Sequence, residues 1–437
     1  MYLIYWTGKV WSAVASLCDH LTLSYEIRDD SDEAIDLTRY EAIIPSPWVP
    51  SHHRIYQSGK VIAELDFAYQ FLPKGFRIIS VTGTDGKSTT SWILYRILEK
   101  EYCVKKSVYL SWNFDIPFSA TVLEILQKWA TEGIIVVEVS SFMAYAIKKF
   151  QSEYSLFTNF RPDHLNWHSD MQDYLDAKMR ILQSTKNSSM MNQQIIDYAR
   201  ENNLRIDIPH NVRIFASDTQ KVIDPDIEMT KSNWSFRDRT DGEDIIIAGR
   251  SKYKLSETHF SGIHNAMNIL SVWLITDAMR ISSKRIKRYL TEIMWLPHRL
   301  EKIGEKNGII FVEDSKSTSA QSLEAALGSY GEEKNLLIIV GGSDKWDIFA
   351  YLTPKFQKRV KMMACIGATK EQFIAIAQQA NIAYISTDSL ADAVTWLYQK
   401  GEEGDILMLS PGCASYGLFR DYLHRANEFR DAIAKIQ

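Results

Sequence analysis

Glycine is scarce in this sequence: 20 of 437 residues, well under the usual ~7%. Cysteine is scarcer still. Cys18, Cys103, Cys365 and Cys413 form no CxxC pair and no metal-ligand spacing, so no disulfide framework or zinc site is expected. No apolar run approaches the ~18–20 residues of a membrane-spanning helix. The opening MYLIYWTGKV lacks the basic stretch and apolar core of a signal peptide, so a reduced, cytoplasmic chain away from membranes is the expectation. There is no basic excess either: 50 Lys and Arg stand against 54 Asp and Glu, a net charge of −4. That balance argues against a general nucleic-acid binder, while leaving room for local basic clefts around anionic substrates. No tract is of low complexity and no repeat recurs at a fixed period.

What is present points to an α/β protein. At 46% apolar, 437 residues can bury a large core and fill two to four domains. Short β-rich runs at Arg77–Val81, Ile134–Val139, Leu156–Asn159, Ile309–Glu313, Leu336–Val340, Met362–Ile366 and Ile406–Leu409 alternate with helix-like stretches. Such alternation predicts βαβ units and mostly parallel sheets. Pro73 and Gly75 break the chain before the first strong motif. Leu296-Pro297-His298-Arg299 breaks it again after a helix-like stretch from Ser282 to Met294. Three α/β domains follow, at about 1–75, 76–296 and 297–437.

The strongest local signal runs from Ile78 to Thr90. A β-branched strand enters Gly83-Thr84-Asp85-Gly86-Lys87-Ser88-Thr89, and a helix leaves it. Glycines let backbone amides converge on phosphate oxygens at a helix N-terminus that already favours anions. Lys87 reaches the terminal phosphates, and the Ser88 hydroxyl is a magnesium ligand. Such a loop does not by itself separate kinase, hydrolase and ligase. Glu138, at the C-terminal end of Ile134–Val139, is placed as a second magnesium ligand, although a strand-end carboxylate is also ordinary. Between Thr158 and His168, Asp163, Asn166 and two histidines crowd one loop, which reads as a metal or polar active-site loop or as a solvated turn. Lys178, on a predicted helix, reads by itself as part of a solvated face.

Together these blocks resemble the ATP-dependent Mur ligases of peptidoglycan synthesis. The resemblance covers about four-fifths of the chain and rests on TGTDGKST at 82–89, EVSSF at 138–142 and DHL at 163–165 with Lys178 downstream. It continues through GIHNAMN at 262–268, LPHRLE at 296–301, DSKST at 314–318 and GGSDK at 341–345. The ending, from Leu409 through Ser410-Pro411-Gly412-Cys413-Ala414-Ser415 to Phe419, Tyr422 and Asn427-Glu428-Phe429, looks like the D-glutamate-adding members. The resemblance implies an N-terminal Rossmann-like domain, a central P-loop ATPase-like domain and a C-terminal Rossmann-like domain. It implies that ATP activates the carboxylate of UDP-N-acetylmuramoyl-L-alanine as an acyl phosphate, which the amine of D-glutamate then attacks. Gly83, Thr84, Asp85, Gly86, Lys87, Ser88, Thr89, Asn265, Asn268, Arg299, Asp314 and Lys316 would hold ATP. Ser88, Glu138 and His164 would hold magnesium. Lys178 matches the lysine that CO₂ converts to a carbamate, whose negative charge helps place the second of two magnesium ions. Ser46, Asn113, Ser141, Thr318, Lys345, Ser415 and Tyr422 would contact the substrates. Catalysis would rest on Lys87, His164 and Lys178 in a monomer. Closure of the third domain would keep water from the acyl phosphate. Asn166 stands where the family usually has Asp, and Tyr422 where Phe is frequent. Another amide ligase of the superfamily, Mur-type or folylpolyglutamate-like, is the nearest alternative, and the Ser-Pro-Gly-Cys-Ala-Ser ending argues against it.

The remaining departures share one form. Trp6, Trp11, Trp48, Trp112, Trp295 and Trp346 stand where the resemblance expects glycine, six of the 12 tryptophans. Tryptophan is the poorest substitute for glycine, having a Cβ, restricted φ and a large ring. The expectation is that UGA codons, read as glycine in the source, stand here as tryptophan. The alternatives are drift in a divergent ligase and, if the tryptophans block the substrate clefts, a nucleotide-binding protein without ligase activity.

Overall fold

The computed structural model describes the chain except residues 6–8, 30–34, 48, 103–105, 113–115, 166, 218–233, 237–244, 249–250, 261–262, 295, 330–332, 344–347 and 437. Trp6, Trp48, Asn113, Asn166, Trp295, Lys345 and Trp346 therefore lie outside the described residues. The chain forms two compact units, Met1–Ile293 and Met294–Gln437. Among the described residues no helix is long and apolar enough to cross a membrane.

The first unit runs β1 (Tyr2–Tyr5), α1 (Lys9–His20), β2 (Tyr25–Arg28), β3 (Ala42–Pro45), α2 (Glu64–Tyr69), β4 (Gly75–Thr82), α3 (Lys87–Tyr102), β5 (Ser107–Ser111), α4 (Phe118–Gln127) and β6 (Glu132–Glu138). It continues α5 (Ser141–Ala144), β7 (Ser152–Phe157), α6 (Met171–Gln183), β8 (Thr185–Asn192), α7 (Gln193–Glu201), β9 (Val212–Ser217), β10 (Trp234–Phe236), β11 (Ile245–Ala248), β12 (Ser251–Lys254), α8 (Ile263–Ala278) and α9 (Ser283–Glu292). A small parallel sheet has the order β2-β1-β3. A nine-stranded sheet has the order β12-β11-β10-β9-β8-β7-β4-β6-β5, parallel from β10 to β5, with β10, β11 and β12 pairing antiparallel. β4 lies between β6 and β7, where successive connections leave in opposite directions. In such sheets ligands bind beyond the C-terminal strand ends at this point.

Burial explains why the central strands carry continuous apolar runs: from Gly133 to Glu138 every residue of β6 is buried, since helices cover both faces. Residues 1–75 own the small sheet and a small core on one face of it, of Leu3, Tyr5, Tyr40, Ile43, Val49, Ile55 and Val61, but the other face is shared. Ile4, Val14, Leu17, Ile44 and Phe67 belong to one cluster with Ile78, Phe118, Val137, Phe157 and Tyr174. Two buried carboxylates stitch the joint. Asp66 accepts the backbone N–H groups of Lys148, Lys149 and Phe150 at 2.7–2.9 Å. Glu64 accepts that of Ser119 at 2.5 Å, and burial pushes its carboxyl up.

The second unit runs β13 (Glu301–Lys306), β14 (Ile309–Glu313), α10 (Ala320–Gly328), β15 (Leu336–Gly341), α11 (Thr353–Arg359), β16 (Val360–Ile366), α12 (Lys370–Gln379), β17 (Ala383–Ser386), α13 (Leu390–Lys400), β18 (Ile406–Leu409) and α14 (Tyr422–Ala434). Its sheet order is β13-β14-β18-β15-β16-β17, parallel except for the β13–β14 hairpin. Alternate residues separate two cores. Ile338, Val340, Met363, Cys365 and Met408 face one cluster, while Leu337, Ile339, Met362, Ala364, Leu407 and Leu409 face the other.

Candidate active site

In the first unit the site is built at the C-terminal ends of β4, β6 and β7. Gly83 and Gly86 take φ of +150° and +74°, a backbone that side chains resist. A Cβ on Gly83 would collide with the Thr158 hydroxyl, and one on Gly86 would lie 2.6 Å from Asn268 Oδ1. The loop is propped from β7's exit. Asp85 N donates to Asn159 Oδ1 at 2.9 Å, while Thr158 Oγ1 donates to Asp85 O at 2.6 Å. Arg161 pairs with the Asp85 carboxylate at 2.6 Å. α3 opens directly from the glycine loop at Lys87, with Thr90 N bonding back to Gly86 O. Its first turn therefore aims amides at the loop.

Two lysines converge on one carbonyl. Lys87 Nζ donates to Gly83 O at 3.0 Å and Thr84 O at 2.9 Å, and Lys178 Nζ donates to Gly83 O at 2.6 Å. Ser88 Oγ donates to Glu138 Oε1 at 3.1 Å, which brings together two groups that the sequence assigns to magnesium. His164 sits in a left-handed turn, φ +56°, with its ring 4.6 Å from Phe142. Burial, then the charges of Lys87 and Lys178, lower its pKa to about 3, so the imidazole is neutral and keeps a lone pair. The expectation of a solvated face for Lys178 fails: it is 1% exposed, its Nζ 4.7 Å from the Tyr174 ring centre. Burial, followed by repulsion from Lys87, drives its pKa well below the ordinary lysine value.

Asn265 and Asn268 lie buried at the start of α8. Ser46 is buried just past β3, its N–H donating to Tyr5 O at 2.9 Å. Ser141 opens α5, and its hydroxyl meets His168 rather than open space. Sequence reasoning missed Tyr174, whose hydroxyl lies 3.2 Å from Thr84 Oγ1, and Asp173, which bonds to His168.

The second unit gathers another group of residues. Asp314 is buried, accepting from Ser410 Oγ at 2.8 Å and Leu300 N at 3.2 Å, and burial raises its pKa to about 7. The positive charge of Arg299 opposes that rise. Lys316 Nζ lies 5.4 Å from the Tyr422 ring centre, and Tyr422 opens α14. Arg425, fully buried and unremarked in the sequence, donates to Cys413 O at 3.0 Å and Ser315 O at 2.8 Å. It thereby ties the loop of Ser415 to the loop of Asp314 and Thr318. His298, Glu301 and Glu313 offer ligand atoms within 4.8 Å of one another, but Arg430 bridges both carboxylates, so the cluster is an ion-pair network.

A glycine phosphate loop at the reversal point of a mostly parallel sheet, followed by a second α/β unit, defines a nucleotide-using α/β protein. Residues 81–276 match the Mur ligase middle domain and residues 298–413 the Mur ligase glutamate ligase domain. The UDP-N-acetylmuramoylalanine–D-glutamate ligase of Aquifex aeolicus is 31% identical over 91% of this chain and 88% of its own length. The ligase of the same name from Caldicellulosiruptor bescii is 31% identical over 93% and 85%. Among solved structures, UDP-N-acetylmuramate–alanine ligase from Thermotoga maritima superposes with a TM-score of 0.62 at 14% identity, covering 99% of this chain and 98% of its own. A pseudomurein peptide ligase from Methanothermus fervidus gives 0.61 at 16% identity, covering both chains fully. The chain belongs to the Mur ligase family.

Proposed function

We propose that the protein is an ATP-dependent ligase that joins D-glutamate to UDP-N-acetylmuramoyl-L-alanine in cytoplasmic peptidoglycan precursor synthesis. The observation that carries this reading is the convergence of Lys87 and Lys178 on Gly83 O beside the Ser88–Glu138 pair. Residues 1–75 take the uridine-diphosphate end, with Ser46 and Asn113 among its contacts. Residues 76–296 take ATP, and residues 297–437 take the amino acid through Thr318, Lys345, Ser415 and Tyr422. The substrate carboxylate attacks the γ-phosphate and ADP leaves. The amine of D-glutamate then attacks the acyl carbon, and phosphate leaves with the bonding electron pair. Lys87 and the loop amides neutralise charge growing on the phosphoryl oxygens.

The donor set fits magnesium: hydroxyl and carboxylate oxygens from Ser88 and Glu138, with a neutral His164 close by. Two such ions, when bound, would polarise the γ-phosphate. Lys178 as an ammonium would repel them. Its lowered pKa supplies instead the free amine that CO₂ needs, and the carbamate would carry negative charge to the same place. The protein works as a monomer. The test is phosphate release from ATP with purified enzyme. It should require both UDP-N-acetylmuramoyl-L-alanine and D-glutamate, and release with either one alone, or with another amino acid in place of D-glutamate, would sink the assignment.

A further inference from the structure

Ser141, His168 and Asp173 form a bonded chain that the ligase reaction does not by itself explain. Ser141 Oγ lies 2.9 Å from His168 Nε2, and His168 Nδ1 lies 2.9 Å from Asp173 Oδ2. The bonding order is that of a serine hydrolase triad. Burial excludes that use: Ser141 is 1% exposed and His168 2%, so the hydroxyl offers no face to a carbonyl carbon.

Asp173 fixes one end of the chain. Burial would raise its carboxyl, but the hydrogen bond and charge of His168, the Ser169 N–H and Arg180 together hold it below the usual range. A carboxylate only accepts, so Nδ1 carries a proton. At the other end Nε2 and the Ser141 hydroxyl share one hydrogen bond at 2.9 Å, so Ser141 Oγ is committed to His168.

The two ends of this chain lie in the segments that matter to the chemistry. Ser141 follows Glu138 by three residues, where Ser140 caps α5 through Met143 N at 3.3 Å. His168 closes the turn begun by His164: the N–H groups of Trp167 and His168 both donate to His164 O at 3.0 Å. A left-handed non-glycine residue such as His164 is strained and persists where its surroundings dictate it. Phe142, next to Ser141, stacks on His168 at 5.8 Å and 19° and also packs on His164 at 4.6 Å.

We propose that His168 and Asp173 are positioning residues that act through Ser141 to lock the Glu138 segment to the His164 turn, and so preset the site for a divalent cation. This rests on the magnesium role given above to Glu138 and His164. Partners behind metal ligands commonly govern affinity about 10–100-fold.

The test uses the full chain, with Mn²⁺ as a paramagnetic probe of the cation site and four variants: Ser141→Ala, His168→Phe, His168→Gln and Asp173→Asn. Ser141→Ala and His168→Phe should weaken Mn²⁺ binding about tenfold and raise the Mg²⁺ needed for half-maximal activity in parallel, leaving the KM for D-glutamate unchanged. His168→Gln should recover most of the loss, since its amide can bond Ser141 as donor or as acceptor. Nitrogen NMR of the parent should show a protonated Nδ1 on His168. Should His168→Phe not fold, Asp173→Asn carries the same comparison, because that carboxylate is one-fifth exposed and tolerates change. Folded variants with parental Mn²⁺ affinity, or an unprotonated Nδ1 on His168, would overturn the proposal. A parent that binds Mn²⁺ but does not ligate would overturn the function and leave the positioning role standing.

Discussion

Trp129 follows α4 with φ +54° and is 90% exposed. Its N–H bonds to Leu126 O, and that of Ala130 reaches back to Ile125 O, the pattern of a helix end that turns left-handed. Glycine serves there without strain, and an exposed indole gains little from burial. Trp129→Gly should therefore raise stability by about 1 kcal/mol in urea unfolding, against the usual cost of removing a large apolar group. Of the six tryptophans in glycine-like sequence contexts, the two that are described, Trp11 and Trp112, have ordinary φ. The backbone thus adds a position to those six, and the codon at 129 would be TGA rather than TGG if recoding holds. For the chemistry, Lys87→Ala should lower turnover about 10²–10³-fold without changing the melting temperature. Lys178→Ala should be nearly inactive and partly restored by added short carboxylates. Full activity without additives would remove the carbamate.

Among the elements, the phosphate loop shows how much was legible. The strand, the glycines, Lys87 and Ser88 lie within a dozen residues, and local pattern suffices for them. The props do not: Thr158, Asn159 and Lys178 reach the loop from 73 to 95 positions away. Helical spacing places Lys178 on the buried face of α6, with Tyr174, Leu175, Ile181 and Leu182, but the carbonyl that receives its Nζ belongs to another strand's end and is not legible from α6. The short antiparallel pairings of β10 to β12 likewise escaped a reading tuned to βαβ alternation. Gly86→Ala tests the loop as an element. It places a Cβ at φ +74° and 2.6 Å from Asn268, and should cost ~1–2 kcal/mol and weaken ATP binding. The loop after β14 offers a pH test. The Asp314 pKa stands near 7 in the fold against 3.8 in the open chain, so the carboxyl's protonated form is favoured by folding. Its stabilisation is full below pH 3.8 and is lost as pH rises through about 7. Asp314→Asn should remove that fall from a plot of unfolding free energy against pH.

For the whole molecule, two compact units predict two calorimetric transitions rather than one. A non-hydrolysable ATP analogue with Mg²⁺ should raise the transition of the first unit, and the rise should vanish in Lys87→Ala. The first unit also has an order of assembly written into it. Its opening 75 residues have only a small core of their own, around Tyr5, Ile43 and Ile55, and their larger apolar face is completed from elsewhere: Ile4, Val14 and Ile44 pack with Phe157, Tyr174, Leu182 and Ile196. On the ribosome, those residues must wait for more than a hundred others, on the order of ten seconds at bacterial elongation speeds, with their apolar faces uncovered. The carboxylates of Glu64 and Asp66 wait as well, since their partners near Ser119 and Lys148 are not yet made. The end proposed to take the nucleotide sugar is made early and finished late, and a nascent chain halted before α6 would be a substrate for chaperones rather than a small folded domain.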